Sequence, residues 1–174
     1  EAPKLNREVW SKRAKVVYEF PATRFTAGKS LKLTWYDGQG HFPKADTHGL
    51  PVGINLPGSG SVLIGEKGTL LIPHVAAPKL YPEEAFAGKK IEMLPGTDHY
   101  VGWADACRGI GTTGSHFGYS GNLTETVLLG AIAVRTPGTR LEWNAETTNL
   151  SGSTTAGALV KKSYRKGWEP TWIS

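Results

Sequence analysis

The stretch Ser61-Val62-Leu63-Ile64-Gly65-Glu66-Lys67-Gly68-Thr69-Leu70-Leu71-Ile72 decides the fold that we expect for this chain. Two short aliphatic runs flank a four-residue segment that begins and ends with glycine, whose freedom at positive φ suits a tight turn. This pattern predicts an antiparallel β-hairpin. Pro73 follows and ends the second strand, because proline has no amide hydrogen to donate to a ladder.

Two further strands are predicted before the hairpin, at residues 15–20 and 31–36. The second alternates, so that Leu31, Leu33 and Trp35 share one face while Lys32, Thr34 and Tyr36 share the other. Between this strand and the hairpin, residues 38–60 hold many glycines and prolines without a period. We expect a long loop there, and long loops in compact domains are often functional or partly mobile.

Helices are predicted after the hairpin. A short extended piece at residues 79–81 leads to one helical turn at 82–86. A helix capped by Thr97 or Asp98 then runs to residue 108, with Gly109 at its end. A second helix is predicted to start at Asn122, with Glu125 reaching back as in a capping box, and to stop at Pro137.

A late strand at residues 140–143 and a short helix at 155–164 complete the pattern. Strands thus come first, helices follow in a block, and one strand returns. That order predicts an α+β fold, with a mostly antiparallel sheet and helices packed on one face, rather than a repeating βαβ domain.

Composition narrows the class of protein. The chain has 174 residues, of which 39% are hydrophobic, as expected for one globular domain. Its net charge is +5, but the basic residues cluster only weakly and carry no nucleic-acid motif, so we expect no nucleic-acid partner. No apolar run approaches the roughly 20 residues of a membrane span. Cys107 is the single cysteine, so the compartment stays open between cytoplasm and periplasm.

One glycine run matches a cofactor motif by letter. Gly109-Ile110-Gly111-Thr112-Thr113-Gly114 fits G-x-G-x-x-G, but the dinucleotide fingerprint requires a strand before the glycines and a helix opening after them. Here the run follows a helix, so we expect a helix-to-helix loop. The five histidines, including His41, show no i, i+4 pair, and we expect no metal site.

The aromatic residues at the end of the second strand are a candidate binding site. Trp35, Tyr36 and Asp37 place two rings beside a carboxylate, which suits a sugar or polyol whose CH face stacks on a ring. The alternative is that Trp35 belongs to the core and Tyr36 packs at a sheet edge. His99, beside Asp98 at a helix start, is either a second site residue or a surface or capping histidine.

An ordered series of segments resembles a known domain. The segments are Val17-Tyr18-Glu19-Phe20-Pro21-Ala22, Leu33-Thr34-Trp35-Tyr36-Asp37-Gly38, Gly65-Glu66-Lys67-Gly68-Thr69-Leu70, Trp103-Ala104-Asp105-Ala106-Cys107-Arg108-Gly109, Leu123-Thr124-Glu125 with Val127-Leu128-Leu129-Gly130, Leu141-Glu142-Trp143, and Tyr164-Arg165-Lys166-Gly167-Trp168. This series, which runs from about Val16 to Trp168, resembles the C-terminal domain of bacterial Gfo/Idh/MocA oxidoreductases.

The resemblance implies a fold and a function. The fold would be a large open sheet like the C-terminal domain of glyceraldehyde-3-phosphate dehydrogenase, with residues 1–174 as one substrate-binding and oligomerisation domain. The parent protein would be an NAD- or NADP-dependent dehydrogenase of carbohydrate metabolism. Its cofactor would bind a Rossmann domain that this sequence, which begins at Glu1, is expected to lack. This fragment would bind no cofactor and be inactive alone.

The resemblance also assigns roles within the fragment. Trp35, Tyr36, Asp37 and the following loop would line the substrate side, and His99 would approach the same cleft. The sheet face would pair subunits into a homo-oligomer. Two alternatives remain, a stand-alone carbohydrate-binding module that uses Trp35 and Tyr36, and a purely structural interaction domain.

Overall fold

The structure, a computed structural model, describes residues 8–38 and 42–171. His41, one of the histidines considered above, lies outside these ranges. The strands are β1 (Ala14–Pro21), β2 (Ser30–Asp37), β3 (Gly60–Gly65), β4 (Gly68–Pro73), β5 (Lys79–Tyr81), β6 (Glu142–Asn144) and β7 (Asn149–Ser151). The helices are α1 (His99–Cys107), α2 (Phe117–Ala133) and α3 (Thr154–Gly157), and short 3-10 helices cover Ala45–His48 and Glu83–Phe86.

The strands pair in three small sheets within the described ranges. β1 pairs with β2, β3, β4 and β5 form an antiparallel sheet in that order, and β6 pairs antiparallel with β7. The α+β class is therefore confirmed. The single large open sheet is not shown, because no ladder joins one of these small sheets to another in this part of the chain.

The predicted hairpin forms as β3 and β4. Its register pairs Gly65 with Gly68, so that Glu66 and Lys67 form the two-residue connection. Gly68 is required for steric reasons, since a Cβ there would collide with the carbonyl oxygen of Tyr81 and the ring of Phe86. Glycine thus permits the close approach of β5 to this turn.

The hairpin sheet buries a small hydrophobic core. Leu50, Leu71 and Tyr81 form its buried cluster, against which four half-buried residues pack, namely Ala45, Ile54, Leu56 and Val62. All four members of this group that lie outside the strands come from residues 45–56, inside the region predicted as a long loop. That segment therefore packs on the sheet, and a functional role for the region predicted as a long loop stays a prediction.

The chain divides into two compact units, which we describe separately. One comprises Glu1–Val17, Thr34–Gly38 and Thr112–Ser174, and the other comprises Tyr18–Leu33 and Gln39–Gly111. The hairpin sheet and α1 belong to the second unit, whereas α2, α3 and the β6–β7 pair belong to the first. The assignment of residues 1–174 to one domain of a larger protein stays a prediction.

Helix α1 forms as predicted, and Asp98 rather than Thr97 caps it. The Asp98 Oδ1 atom accepts hydrogen bonds from the backbone amides of Tyr100 and Val101, both at 2.9 Å. These bonds satisfy two of the amides that have no partner in the first turn of a helix. Arg108 follows as the C-cap residue.

Helix α2 begins at Phe117, five residues before the predicted start, so the predicted capping box is wrong. Asn122 and Glu125 lie inside the helix, and His116 occupies the cap position without a side-chain hydrogen bond. Gly118 and Gly121 explain the error. Glycine costs about 1 kcal/mol relative to alanine in a helix, so the sequence alone favoured a loop there.

The C-terminal elements differ from the prediction in their bounds. β6 starts at Glu142, and α3 spans only Thr154–Gly157, where Ser153 caps it through a 3.2 Å hydrogen bond from the Ala156 amide. β7 was not predicted, because Asn149 and Ser151 are poor strand formers. Leu150 between them is buried, which shows that burial of one apolar residue stabilises this strand.

Candidate functional site

The predicted aromatic site lies at the end of β2. The Trp35 side chain is 54% exposed, so it is not part of the buried core of the described residues. Tyr36 is half-buried, and Lys15 Nζ lies 5.8 Å from the centroid of its ring, while Asp37 is exposed. The strand thus presents one open ring beside a carboxylate and one ring covered by a cation.

The apolar face of β2 lacks cover. Leu31 and Leu33, which alternate with polar residues as predicted, are exposed together with Trp35. Val17 on β1 is also exposed, but it shares a face with Lys15 and Glu19, whose side chains contact Tyr36 and Ser30 on the other face. Exposed apolar side chains on one face of a strand are typical of an interaction surface. The opposite positions Thr34 and Tyr36 are only half-buried, so neither face of this strand pair is fully covered.

His99 is the first residue of α1 and is exposed. Its neighbour Asp98 uses its carboxylate to cap the helix, so the capping role belongs to Asp98 and not to His99. His99 belongs to the second compact unit and Trp35, Tyr36 and Asp37 to the first. A site that these four residues share therefore stays a prediction.

The glycine run after α1 connects two helices, as predicted. α1 ends at Cys107, Gly109 and Gly111 adopt φ values of +79° and +67°, and α2 begins at Phe117. No strand leads into the run, so its amides are not arranged as in a strand-turn-helix phosphate cradle. The glycines serve chain reversal, because L side chains rarely adopt such φ values.

Sequence reasoning missed a groove on α2. It has a volume of about 450 Å³ and is lined on one side by a face of α2 and on the other by Trp143 and Val160. Glu125 lies in its wall, where its Oε1 atom accepts a 2.8 Å hydrogen bond from Trp143 Nε1. The predicted capping residue is therefore a polar anchor between α2 and β6.

Sequence spacing held a partial signal for this groove. The eight α2 residues that line it follow one another at intervals of three, one and three residues, which defines one helix face. That face was not recognised because the predicted helix started too late. The partnership of Glu125 with Trp143 spans eighteen positions along the chain, and no local pattern encodes it.

Residues 8–38 and 42–171 form neither a cluster of metal ligands nor a membrane-spanning helix. That part of the chain brings together no group of three or more His, Cys, Asp or Glu side chains with metal-binding geometry. It also contains no helix that is long and apolar enough to cross a bilayer.

Comparison with known proteins identified no family. No protein-family model, no curated protein and no solved structure matches the chain.

Proposed function

We propose that this chain is the C-terminal domain of a Gfo/Idh/MocA-type oxidoreductase that acts on a sugar or polyol derivative. In this proposal, NAD or NADP binds a separate Rossmann domain of the parent protein. The present domain shapes the substrate pocket and the subunit interface, and it has no dehydrogenase activity alone.

The exposure of large apolar side chains carries this proposal. Among the described residues, exposed large hydrophobic side chains outnumber buried ones, and several lie on regular elements such as β2 and α2. A complete globular protein buries most of its large aliphatic and aromatic residues. A domain that normally packs against other domains or subunits would present such faces.

The geometry of the glycine run supports the proposal that the cofactor binds outside this domain. A nicotinamide dinucleotide needs a helix N-terminus that follows directly on a strand and a tight glycine turn. The run from Gly109 to Gly114 joins two helices instead. The proposal therefore places cofactor binding in another part of the parent protein.

The sheet is the proposed site of oligomerisation. We propose that in the complete protein the small sheets join in one large open sheet, with helices on one face. The other face, which includes Leu31 and Leu33, would pair with a second subunit in an isologous contact.

The substrate side of the domain would include Trp35, Asp37 and His99. The open ring of Trp35 suits the CH face of a pyranose, and the exposed Asp37 carboxylate is able to accept hydrogen bonds from its hydroxyl groups. His99, on the other compact unit, would approach the same substrate in the parent protein.

The test uses the full-length product of the gene. We expect it to bind NAD or NADP in calorimetry and to oxidise at least one member of a panel of aldoses and polyols. Trp35→Ala should raise KM for that sugar about tenfold, the loss of one ring contact, without changing the Kd of the nicotinamide. Trp168→Ala, which removes another exposed indole, is the matched control.

Three results would contradict the proposal. Binding of NAD or NADP to the chain 1–174 alone would show that the cofactor site is here. Binding of sugars by the isolated chain, with an unrelated upstream sequence, would instead establish the carbohydrate-binding module. A full-length product that forms a stable dimer but binds neither nicotinamide nor sugar would establish the structural interaction domain.

A further inference from the structure

Helix α2 carries apolar side chains on every side, interspersed with a few polar ones. Its seventeen residues include one charged side chain, Glu125. Leu123 and Val127 are exposed on one side, while Phe117 and Leu128 are 93% and 58% exposed on the side that lines the groove. A helix that is apolar all round is normally buried between two layers. A layer that covered the side of Leu123 and Val127 would leave the groove side exposed, so that side needs a second layer.

The groove runs along most of the length of α2. Eight α2 residues at i, i+3, i+4 and i+7 spacing line it, from Phe117 to Ile132. At 1.5 Å per residue these positions extend over about 22 Å, the length of four helical turns. Ser120 and Gly121 are small, which allows a second backbone to approach closely. The larger side chains beside them form ridges that suit ridges-into-grooves packing.

The charge in the groove wall restricts the occupant. Glu125 is the one ionisable residue among those that line the groove, and Trp143 Nε1 donates to only one of its oxygens. A carboxylate offers about four acceptor positions. A wholly apolar cover would remove water from the remaining positions at a cost, whereas a Lys or Arg side chain would satisfy them.

We propose that this groove binds an amphipathic helix of another polypeptide segment. The apolar stripe of that helix packs along α2, and one Lys or Arg in the stripe pairs with Glu125. A second copy of this chain fits poorly, because none of the helices in the described ranges, α1, α2 and α3, contains Lys or Arg. This inference does not depend on the oxidoreductase assignment.

The test uses the full chain and two synthetic helical peptides of 18 residues. Both peptides consist of alanine and glutamine, with leucines at positions i, i+4, i+7 and i+11 that form one apolar face. One position on this face is Lys in the first peptide and Glu in the second, and the two are otherwise identical. We expect the Lys peptide to bind at least tenfold more tightly in calorimetry, since like charges would meet in the Glu peptide.

Substitutions at Glu125 test whether this residue determines the preference between the two peptides. Glu125→Lys should reverse the preference between the two peptides, and Glu125→Gln, which keeps an acceptor for Trp143, should abolish it. Glu142→Lys makes the same change of net charge on β6 outside the groove, and it should leave the preference unchanged. Circular dichroism checks that each variant keeps its helices, and the Gln variant decides the matter if the Lys variant does not fold.

Several outcomes would overturn the proposal. These are failure of both peptides to bind, equal affinity for the two peptides, and a reversal that Glu142→Lys also produces. If light scattering shows a dimer that Glu125→Lys dissociates, the occupant is a second copy of this chain and the proposal is wrong.

Discussion

The β3–β5 sheet and helix α2 are both apolar in sequence, yet they bury their side chains to very different extents. Leu71 and Tyr81 of the sheet are 5% and 3% exposed, whereas Leu128 of α2 is more than half exposed. The Leu71 side of the sheet is covered by residues 45–56 of its own unit, whereas Leu63 is half exposed. The comparison teaches that an apolar pattern defines a face to be covered, while a second segment decides whether it is covered within the chain.

The largest expected effect tests the covered region. Leu71→Ala should lower the free energy of unfolding by about 2–5 kcal/mol, because it removes a buried leucine and leaves a cavity. Leu63→Ala, in the same hairpin but 50% exposed, should cost less than about 1 kcal/mol. Urea unfolding of both variants measures the difference, and equal losses would contradict the contrast between covered and open positions.

A smaller effect concerns the polar anchor of α2. Trp143→Phe removes the indole donor to Glu125 and should cost about 1.5 kcal/mol, the low end for a hydrogen bond to a charged group, because both residues are partly exposed. Trp168→Phe, at an exposed position, should cost almost nothing. A double-mutant cycle with Glu125→Ala should give a coupling free energy near the same value. A coupling of zero would contradict a stabilising hydrogen bond between Trp143 and Glu125.

Two residues that the sequence predicted as helix caps, Asp98 and Asn122, give effects of opposite sign. Asp98→Ala should destabilise the protein by about 1 kcal/mol, since it removes the cap of α1. Asn122→Ala should stabilise α2 by about half a kcal/mol, because alanine is the better former inside a helix. Thermal unfolding compares the two variants, and destabilisation of α2 by Asn122→Ala would restore the predicted capping box.

The smallest expected effect is a pH dependence of the free energy of unfolding, and it arises from the half-buried Tyr18. Burial raises the pKa of the Tyr18 hydroxyl, so the folded state favours the neutral form. The resulting stabilisation is complete below the unfolded pKa of about 10 and is lost as pH rises through the higher folded pKa. Tyr18→Phe should therefore lose less stability than the wild type above that pH in urea unfolding, while Tyr119→Phe should behave like the wild type.

Local patterns predicted the regular elements that local chemistry controls. The hairpin of β3 and β4 follows from aliphatic runs beside glycines, and α1 follows from the carboxylate of Asp98 and the apolar spacing after it. Both signals lie within a few residues of the element that they form. For the same reason the helix-to-helix nature of the Gly109 run was visible in the sequence.

Distant packing controls the features that the sequence did not reveal. Leu50 belongs to a buried cluster although it lies among glycines and prolines, and Leu150 stabilises a strand that its neighbours do not favour. Of the candidate site, the exposure of Trp35 agrees with its predicted place at a strand end. The Glu125 anchor was missed, because its partner Trp143 lies eighteen residues away.

By itself the sequence determined the α+β class, the hairpin, the capped helix α1 and the absence of a phosphate cradle at the Gly109 run, since short-range hydrogen bonding and backbone preferences set all four. Only the tertiary structure decided which apolar faces are covered and where Glu125 points. Burial and side-chain pairing join residues that are far apart along the chain, and their free energy depends on that three-dimensional arrangement.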